Sequence, residues 1–253
     1  MLIDRAAVVA RLAAAGCVAP DEEADALLAA GPDDATLAAW LRRREDGEPL
    51  AWLTGTTTFA GRALHVAPGT YVPRPRTEDL ARRAAGALPP GGRAADLCTG
   101  VGAVAAALRA AVPSATVVGT DRDPVAAACA RRNGVATVVA DLAAPLGGDG
   151  AWDVVTAVCP YVPTGEVAFL PRDVQRHEPR PALDGGPDGL AVARRVVGAA
   201  ARLLRPGGRL LLELGGHQDE ALARDLAAAG FTAAEPWHDD DGDLRGLTAR
   251  RTA

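Results

Sequence analysis

The chain has 253 residues, a formal net charge of −5 and 49% hydrophobic residues. These values exclude a disordered chain, because enough apolar surface is present to form a buried core. The negative charge argues against a general nucleic-acid-binding protein, since such proteins carry a cationic surface.

The sequence also predicts where the protein resides. No uncharged run approaches the roughly 18 residues that a membrane helix requires. The first residues contain an early acid and no clear cleavage site for a secretory signal. We therefore expect a cytoplasmic protein that does not enter a membrane. Its cysteines form no C-x-x-C pair, so no metal site is predicted.

The first part of the chain predicts a small helical lobe over residues 1–50. Residues 4–15 place apolar side chains at helical spacing, and Gly16 ends the pattern. A second helix is predicted to begin at Pro20, which is followed by three acidic residues. Proline is favoured in the first turn of a helix, and acids are favoured at the positive end of the helix dipole. The same arrangement recurs at Pro32.

A β-hairpin and linker are predicted over residues 51–76. Short β-like runs lie on both sides of Gly61. Two prolines then hold Arg74 in an extended conformation before the next helix, which is predicted to begin near Thr77.

The remaining residues, 77–253, are predicted to form an α/β domain with a Rossmann-like sheet. Strands are predicted at 94–97, 116–121, 135–141, 152–158 and 209–214, and helices at 102–111, 124–133, 189–204 and 218–229. This alternation is typical of a parallel sheet with helices on both faces. Two final strands with no helix between them predict an antiparallel edge.

A glycine-rich turn and three acids predict a nucleoside-binding site. The turn runs from Asp96 to Gly102, after the first strand of the domain, and its glycines allow a ligand to approach the backbone. Asp121 ends the second strand, where a carboxylate can accept hydrogen bonds from both hydroxyls of a ribose. Asp141 ends the third predicted strand, where it can face an adenine edge.

Three interpretations of the turn remain open at this point. Gly100, Gly102 and Ala105 match a G-x-G-x-x-A form of the dinucleotide motif, which allows NAD. Asp96 favours S-adenosylmethionine instead, because a carboxylate repels a pyrophosphate but binds an ammonium group. A purely structural turn is the third interpretation.

Four separate stretches resemble the HemK/PrmC protein-glutamine methyltransferases. They cover residues 73–78 (PRPRTE), 96–102 (DLCTGVG), 177–190 (HEPRPALDGGPDGL) and 204–208 (LRPGG). The resemblance spans roughly residues 50–220. The first fifty residues are short for the family's lobe, which grips the release factor.

The resemblance implies a seven-stranded class I methyltransferase domain, an N-terminal helical lobe and a linking hairpin. It also implies S-adenosylmethionine as the methyl donor. The candidate cofactor-binding residues are Arg74, Thr77, Asp96, Thr99, Gly100, Gly102, Asp121, Arg122, Asp141 and Leu142.

The family's catalytic N-P-P-Y loop is altered in this sequence. Val158 stands in place of the asparagine and Cys159 in place of the first proline, while Pro160 and Tyr161 are kept. In the family, the asparagine oxygen and a backbone carbonyl hold the two N–H groups of the substrate amide. Valine accepts no hydrogen bond, and an unpaired buried N–H costs about 1–3 kcal/mol. We therefore expect weak or absent methylation of glutamine.

Three functions remain open from the sequence. The first is a methyltransferase acting on another nucleophile, a small molecule of specialised metabolism, with His177 or Glu178 as a base or as a loop anchor. The second is a cyclase or lyase that consumes S-adenosylmethionine and releases methylthioadenosine. The third is a residual protein-glutamine methyltransferase or a non-catalytic cofactor-binding protein. The candidate catalytic residues are Val158, Cys159, Pro160, Tyr161, His177 and Glu178.

Overall fold

A helical lobe opens the chain in the computed structural model, which describes residues 4–252. Its helices are α1 (Arg5–Ala14), α2 (Pro20–Ala29), α3 (Asp34–Glu45) and α4 (Leu50–Thr54). The carboxylates of Asp4 and Asp33 cap α1 and α3 by accepting hydrogen bonds from backbone N–H groups of the first turn. Leu12 and Leu53 belong to one hydrophobic cluster. Helix α4 thus crosses the boundary predicted at residue 50 and packs with the lobe.

The lobe is followed by an antiparallel hairpin, β1 (Thr56–Phe59) and β2 (Arg62–His65). The remaining strands are β3 (Arg93–Leu97), β4 (Thr116–Asp121), β5 (Ala136–Val139), β6 (Trp152–Ala157), β7 (Leu204–Glu213), β8 (Phe231–His238) and β9 (Leu244–Arg251). The helices among them are α5 (Glu78–Ala87), α6 (Ala103–Ala111), α7 (Pro124–Arg132), α8 (Arg172–His177), α9 (Ala191–Leu203) and α10 (Gln218–Ala228).

These strands form a seven-stranded sheet in the order β5-β4-β3-β6-β7-β9-β8. Strands β3 to β7 are parallel, and β9 runs antiparallel to both β7 and β8. Successive residues of β3 face opposite sides: Ala94 packs in the cluster that includes α5 and α6, and Ala95 in the one that includes α9 and α10. The predicted Rossmann-like seven-stranded sheet with an antiparallel edge is confirmed.

Local details differ from the sequence prediction. Strand β5 ends at Val139, so Asp141 lies in the turn beyond it. Pro206 to Gly208 lie within the range of β7, where the pairing with β6 shifts register. Helix α8 was not predicted, because six residues are too few to show a helical period. Within residues 4–252, no helix combines the length and apolarity needed to cross a bilayer.

The hairpin is fastened to the sheet domain by Asn133, the only asparagine of the chain. Its Oδ1 accepts a hydrogen bond from the backbone N–H of His65 at 2.7 Å, and its Nδ2 donates to the carbonyls of His65 and Val101 at 2.9 and 2.8 Å. This amide follows directly after α7, so it ties the end of that helix to β2 and to the glycine turn.

Replacing Asn133 with alanine is expected to lower the free energy of unfolding by about 1–3 kcal/mol, because partly buried backbone groups lose their partners. Urea denaturation followed by circular dichroism measures the change. Gln175→Ala serves as the control, because this exposed amide also bonds two backbone carbonyls. An equal loss in both variants would contradict the prediction.

Candidate functional site

A cavity of about 1070 Å³ lies at the carboxyl ends of the central strands. Its walls come from residues 71–77, the glycine turn after β3, the ends of β4 and β6, and the segment that contains α8. The position is the one at which open α/β sheets bind ligands, and the volume is large enough for a nucleoside cofactor.

Asp96 is a buried acid on the cavity wall, with 2% of its surface exposed. Its carboxylate accepts hydrogen bonds from the hydroxyls of Thr99 and Thr156 at 2.6 and 2.7 Å. Burial raises the pKa of Asp96 to about 6. Among residues 4–252, no arginine or histidine forms an ion pair with it.

Asp121 lies beside the glycine turn at the end of β4. Its carboxylate accepts hydrogen bonds from the backbone N–H groups of Gly100 and Asp123 at 2.8 and 2.9 Å. Burial raises the pKa of Asp121 as well. The acid therefore orders the turn while it lines the cavity.

The residues present fit S-adenosylmethionine. One buried and one half-buried carboxylate, Asp96 and Asp121, have no salt-bridge partner in the described residues and create a negative potential that favours a cation. This cofactor carries an ammonium and a sulfonium group. Asp96 is placed to bind the ammonium group, and Asp121 is placed to accept hydrogen bonds from the ribose hydroxyls. The carboxylate of Asp96 opposes a pyrophosphate, which disfavours NAD.

All but one of the predicted cofactor-binding residues line this cavity; the cavity wall includes Arg74, Thr77, Asp96, Thr99, Gly100, Asp121, Arg122, Asp141 and Leu142. Gly102 instead faces α7, because a Cβ there would lie only 3.0 Å from the Cβ of Ala130. Its absent side chain thus permits helix packing rather than ligand approach. Asp141 is already paired with Arg195 at 2.5 Å on the exposed rim.

The loop after β6 forms the opposite wall, with Val158, Cys159, Pro160 and Tyr161 all lining the cavity. Burial raises the pKa of the Cys159 thiol to about 12, which makes it a poor nucleophile at neutral pH. Val158 is half-buried and packs against the hydrophobic core. The loop therefore presents an aliphatic and an aromatic surface.

Within residues 4–252, the cavity wall does not include His177 or Glu178. His177 Nε2 lies 3.2 Å from the carbonyl oxygen of Asp46, and its ring meets the edge of Trp52. Glu178 is buried and forms a salt bridge with Arg74. Both residues join α8 to the lobe or to the linker.

Sequence reasoning missed three residues of this region. Tyr71 and Arg76 line the cavity beside Arg74, and Glu213 lies buried behind Tyr161. Arg76 occupies the variable position of the P-R-P-x-T-E motif. For Glu213 a signal was present, because an acid directly after the apolar run 210–212 has to be buried with partners.

Comparisons with known proteins identify the relatives of this chain. A release factor glutamine methyltransferase of Mycolicibacterium smegmatis is 39% identical over 98% of this chain and 96% of its own length. The enzyme of the same name from Geobacter sulfurreducens is 38% identical over 77% of this chain and 72% of its own length. No family model matches the chain.

Solved structures support the fold. A methyltransferase from Pyrococcus furiosus superposes with a TM-score of 0.55 over 75% of this chain and 89% of its own, at 16% identity. At that identity the likeness concerns the architecture alone.

The ionisation of Asp96 predicts how cofactor affinity depends on pH. The carboxyl has a pKa of about 6 in the free protein, and only its ionised form attracts an ammonium. Affinity for S-adenosylmethionine should therefore rise as the pH increases through about 6 and fall again above about 8, where an α-amino group loses its proton. Calorimetric titrations across this interval measure the profile.

Asp96→Asn should abolish the rise near pH 6, whereas Asp141→Asn, which changes an exposed acid on the rim, should retain it. An affinity that stays constant between about pH 5 and pH 7 would refute the role of Asp96.

Asp121→Ala should weaken binding of S-adenosylmethionine at least tenfold, or about 1.4 kcal/mol, because the ribose acceptor and the partner of Gly100 are lost together. Calorimetry at neutral pH measures this change. Asp123→Ala is the matched control, since it removes a neighbouring acid that caps α7. Unchanged affinity in Asp121→Ala would remove this residue from the site.

Proposed function

Since the chain belongs to the release factor glutamine methyltransferase family and is an S-adenosylmethionine-dependent methyltransferase, we propose that it methylates a protein side chain other than the glutamine amide. Membership of this family supports methyl transfer to a protein, because both relatives described above are named for methylating a release factor. The small molecule of specialised metabolism expected from the sequence has no support in these comparisons. A cytoplasmic location is retained as part of the proposal.

Val158 is the observation that carries the choice of acceptor. It follows Ala157, which pairs with Leu97 of β3 and Leu212 of β7. This register holds Val158 at the carboxyl end of the central strands and on the cavity wall. This position supports the inference that residue 158 faces the methyl acceptor, and a valine side chain offers no hydrogen-bond acceptor there.

Among residues 4–252, no asparagine or glutamine belongs to the cavity wall, so no other side-chain amide replaces the missing acceptor. Asn133 makes its hydrogen bonds to the hairpin and the glycine turn. Gln218 donates to the carbonyl of Tyr161 at 2.7 Å and accepts from the N–H of Gly215 at 3.1 Å. A primary amide held in this site would keep one N–H unpaired, which costs about 1–3 kcal/mol.

A hydroxyl, thiol or amine is a better match for the loop. Such a nucleophile keeps a localised lone pair and needs fewer acceptors to orient it than a planar amide with two N–H groups. The walls that Val158 and Tyr161 provide exclude water and restrict the approach to one direction.

The chemistry of transfer is a displacement at carbon. When bound, S-adenosylmethionine supplies a methyl group on a sulfonium; the sulfur–carbon bond breaks as the bond to the acceptor forms, and the thioether leaves. The protein's own contribution is positional: Asp96 and Asp121 anchor the donor, and the loop after β6 orients the acceptor. The acceptor takes up the positive charge that the sulfonium loses, and its proton passes to water when the methylated product leaves the cavity.

Glutamine methylation is the second candidate, favoured by the 39% identity that extends over 98% of the chain. It differs from the first candidate in the acceptor alone, so one set of peptides distinguishes the two. The peptides share one sequence and carry glutamine, lysine, histidine, serine or cysteine at a single position.

Product analysis after incubation with S-adenosylmethionine tests the proposal. S-adenosylhomocysteine should form faster with one of the other four peptides than with the glutamine peptide. Val158→Asn should raise the rate on the glutamine peptide about tenfold or more, because the lost acceptor is restored. Val162→Asn, at a half-buried valine of the same wall, should not.

A glutamine peptide methylated by the wild type faster than the other four peptides would show that glutamine is the acceptor. Equal rates of wild type and Val158→Asn on that peptide would show that residue 158 alone does not set the acceptor. Methylthioadenosine as the product would instead indicate self-cyclisation of the cofactor and would overturn methyl transfer.

A further inference from the structure

Glu213 is a buried carboxylate that belongs to neither the donor site nor the acceptor surface. It ends β7, with 3% of its surface exposed. Since Leu212 pairs with Ala157, Glu213 lies level with Val158, the first residue of the acceptor loop. A charge at this depth requires specific partners.

Two hydroxyl groups are the partners of the Glu213 carboxylate. Thr77 donates a hydrogen bond from Oγ1 to Glu213 Oε2 at 2.6 Å, and Tyr161 donates from its phenolic oxygen to Oε1 at 3.2 Å. Both donors line the cavity, one from the linker and one from the acceptor loop. A single carboxylate thus joins two walls of the site.

The surroundings of Glu213 keep Tyr161 protonated and directed inward. Burial raises the pKa of both groups, and the negative charge of Glu213 raises that of Tyr161 further. An ionised carboxylate only accepts hydrogen bonds, so the phenolic hydroxyl of Tyr161 is the donor in its hydrogen bond with Glu213. The other ionisable groups that face Glu213 are Tyr71, Arg76, Cys159 and Arg245.

We propose that Glu213 is a positioning residue for methyl transfer, whose ionised carboxylate holds the hydroxyl of Tyr161 and so fixes the aromatic wall against which the acceptor lies. The role rests on the proposed function, because it concerns the same loop. Glu213 acts through Tyr161 and does not itself touch the reacting atoms.

The tyrosine content of the chain permits a direct test. The chain has two tyrosines, Tyr71 and Tyr161, so labelling with 3-fluorotyrosine gives two ¹⁹F resonances that Tyr71→Phe and Tyr161→Phe assign. The Tyr161 resonance should move with pH at a midpoint above the ordinary glutamate value of about 4.3. Glu213→Gln should abolish this movement. Glu220→Gln, an exposed acid of α10, should leave it intact.

Steady-state kinetics then test the effect of Glu213 on methyl transfer, with the acceptor peptide identified by the product analysis described under Proposed function. Glu213→Gln should lower kcat at least tenfold, and the affinity for S-adenosylmethionine should stay within twofold, which a merely misfolded variant would not show. Tyr161→Phe should have a similar effect, and the double variant should be no worse than either single one. The wild-type kcat should rise with pH at the midpoint seen by NMR.

A Tyr161 resonance that titrates equally in Glu213→Gln, or a full kcat in that variant, would overturn the positioning role. If no peptide is methylated, the proposed acceptor fails, and the fluorine resonances still decide whether Glu213 holds Tyr161.

Discussion

The site depends on buried or half-buried acids at strand ends that have no ion-pair partner in the described residues. Each is stabilised instead by hydroxyl or backbone N–H donors from the segments that line the cavity. A buried carboxylate without such donors would be strongly destabilising, so the donors cannot move away. The acids thereby order the glycine turn, the linker and the acceptor loop around one space. They are Asp96, Asp121 and Glu213.

A second set of contacts closes this space from the side of the helical lobe. Arg176 pairs with Asp46 at 3.0 Å, His177 contacts the carbonyl of the same residue, and Glu178 pairs with Arg74. Helix α8 is therefore held at its carboxyl end by the lobe and the linker, while its amino-terminal half lines the cavity. In this arrangement the contacts of His177 and Glu178 hold one wall of the cavity in place.

Val158 occupies the start of the acceptor loop, at the end of a buried strand. An aliphatic side chain suits the end of a buried strand, and it packs against the core as β-branched residues do in sheets. The single asparagine of the chain is used where it holds the hairpin.

The sequence by itself determined the order of helices and strands, the Rossmann-like sheet and the cavity positions around Asp96 and Asp121. These follow from local periodicity and from the rule that ligands bind beyond the carboxyl ends of parallel strands. Only the tertiary structure decided that His177 and Glu178 anchor α8, that Gly102 serves packing, and that Glu213 holds Tyr161. The partners in those contacts are distant in the chain, and local pattern carries no information on which distant side chain will complete a buried charge or fill the space beside a glycine.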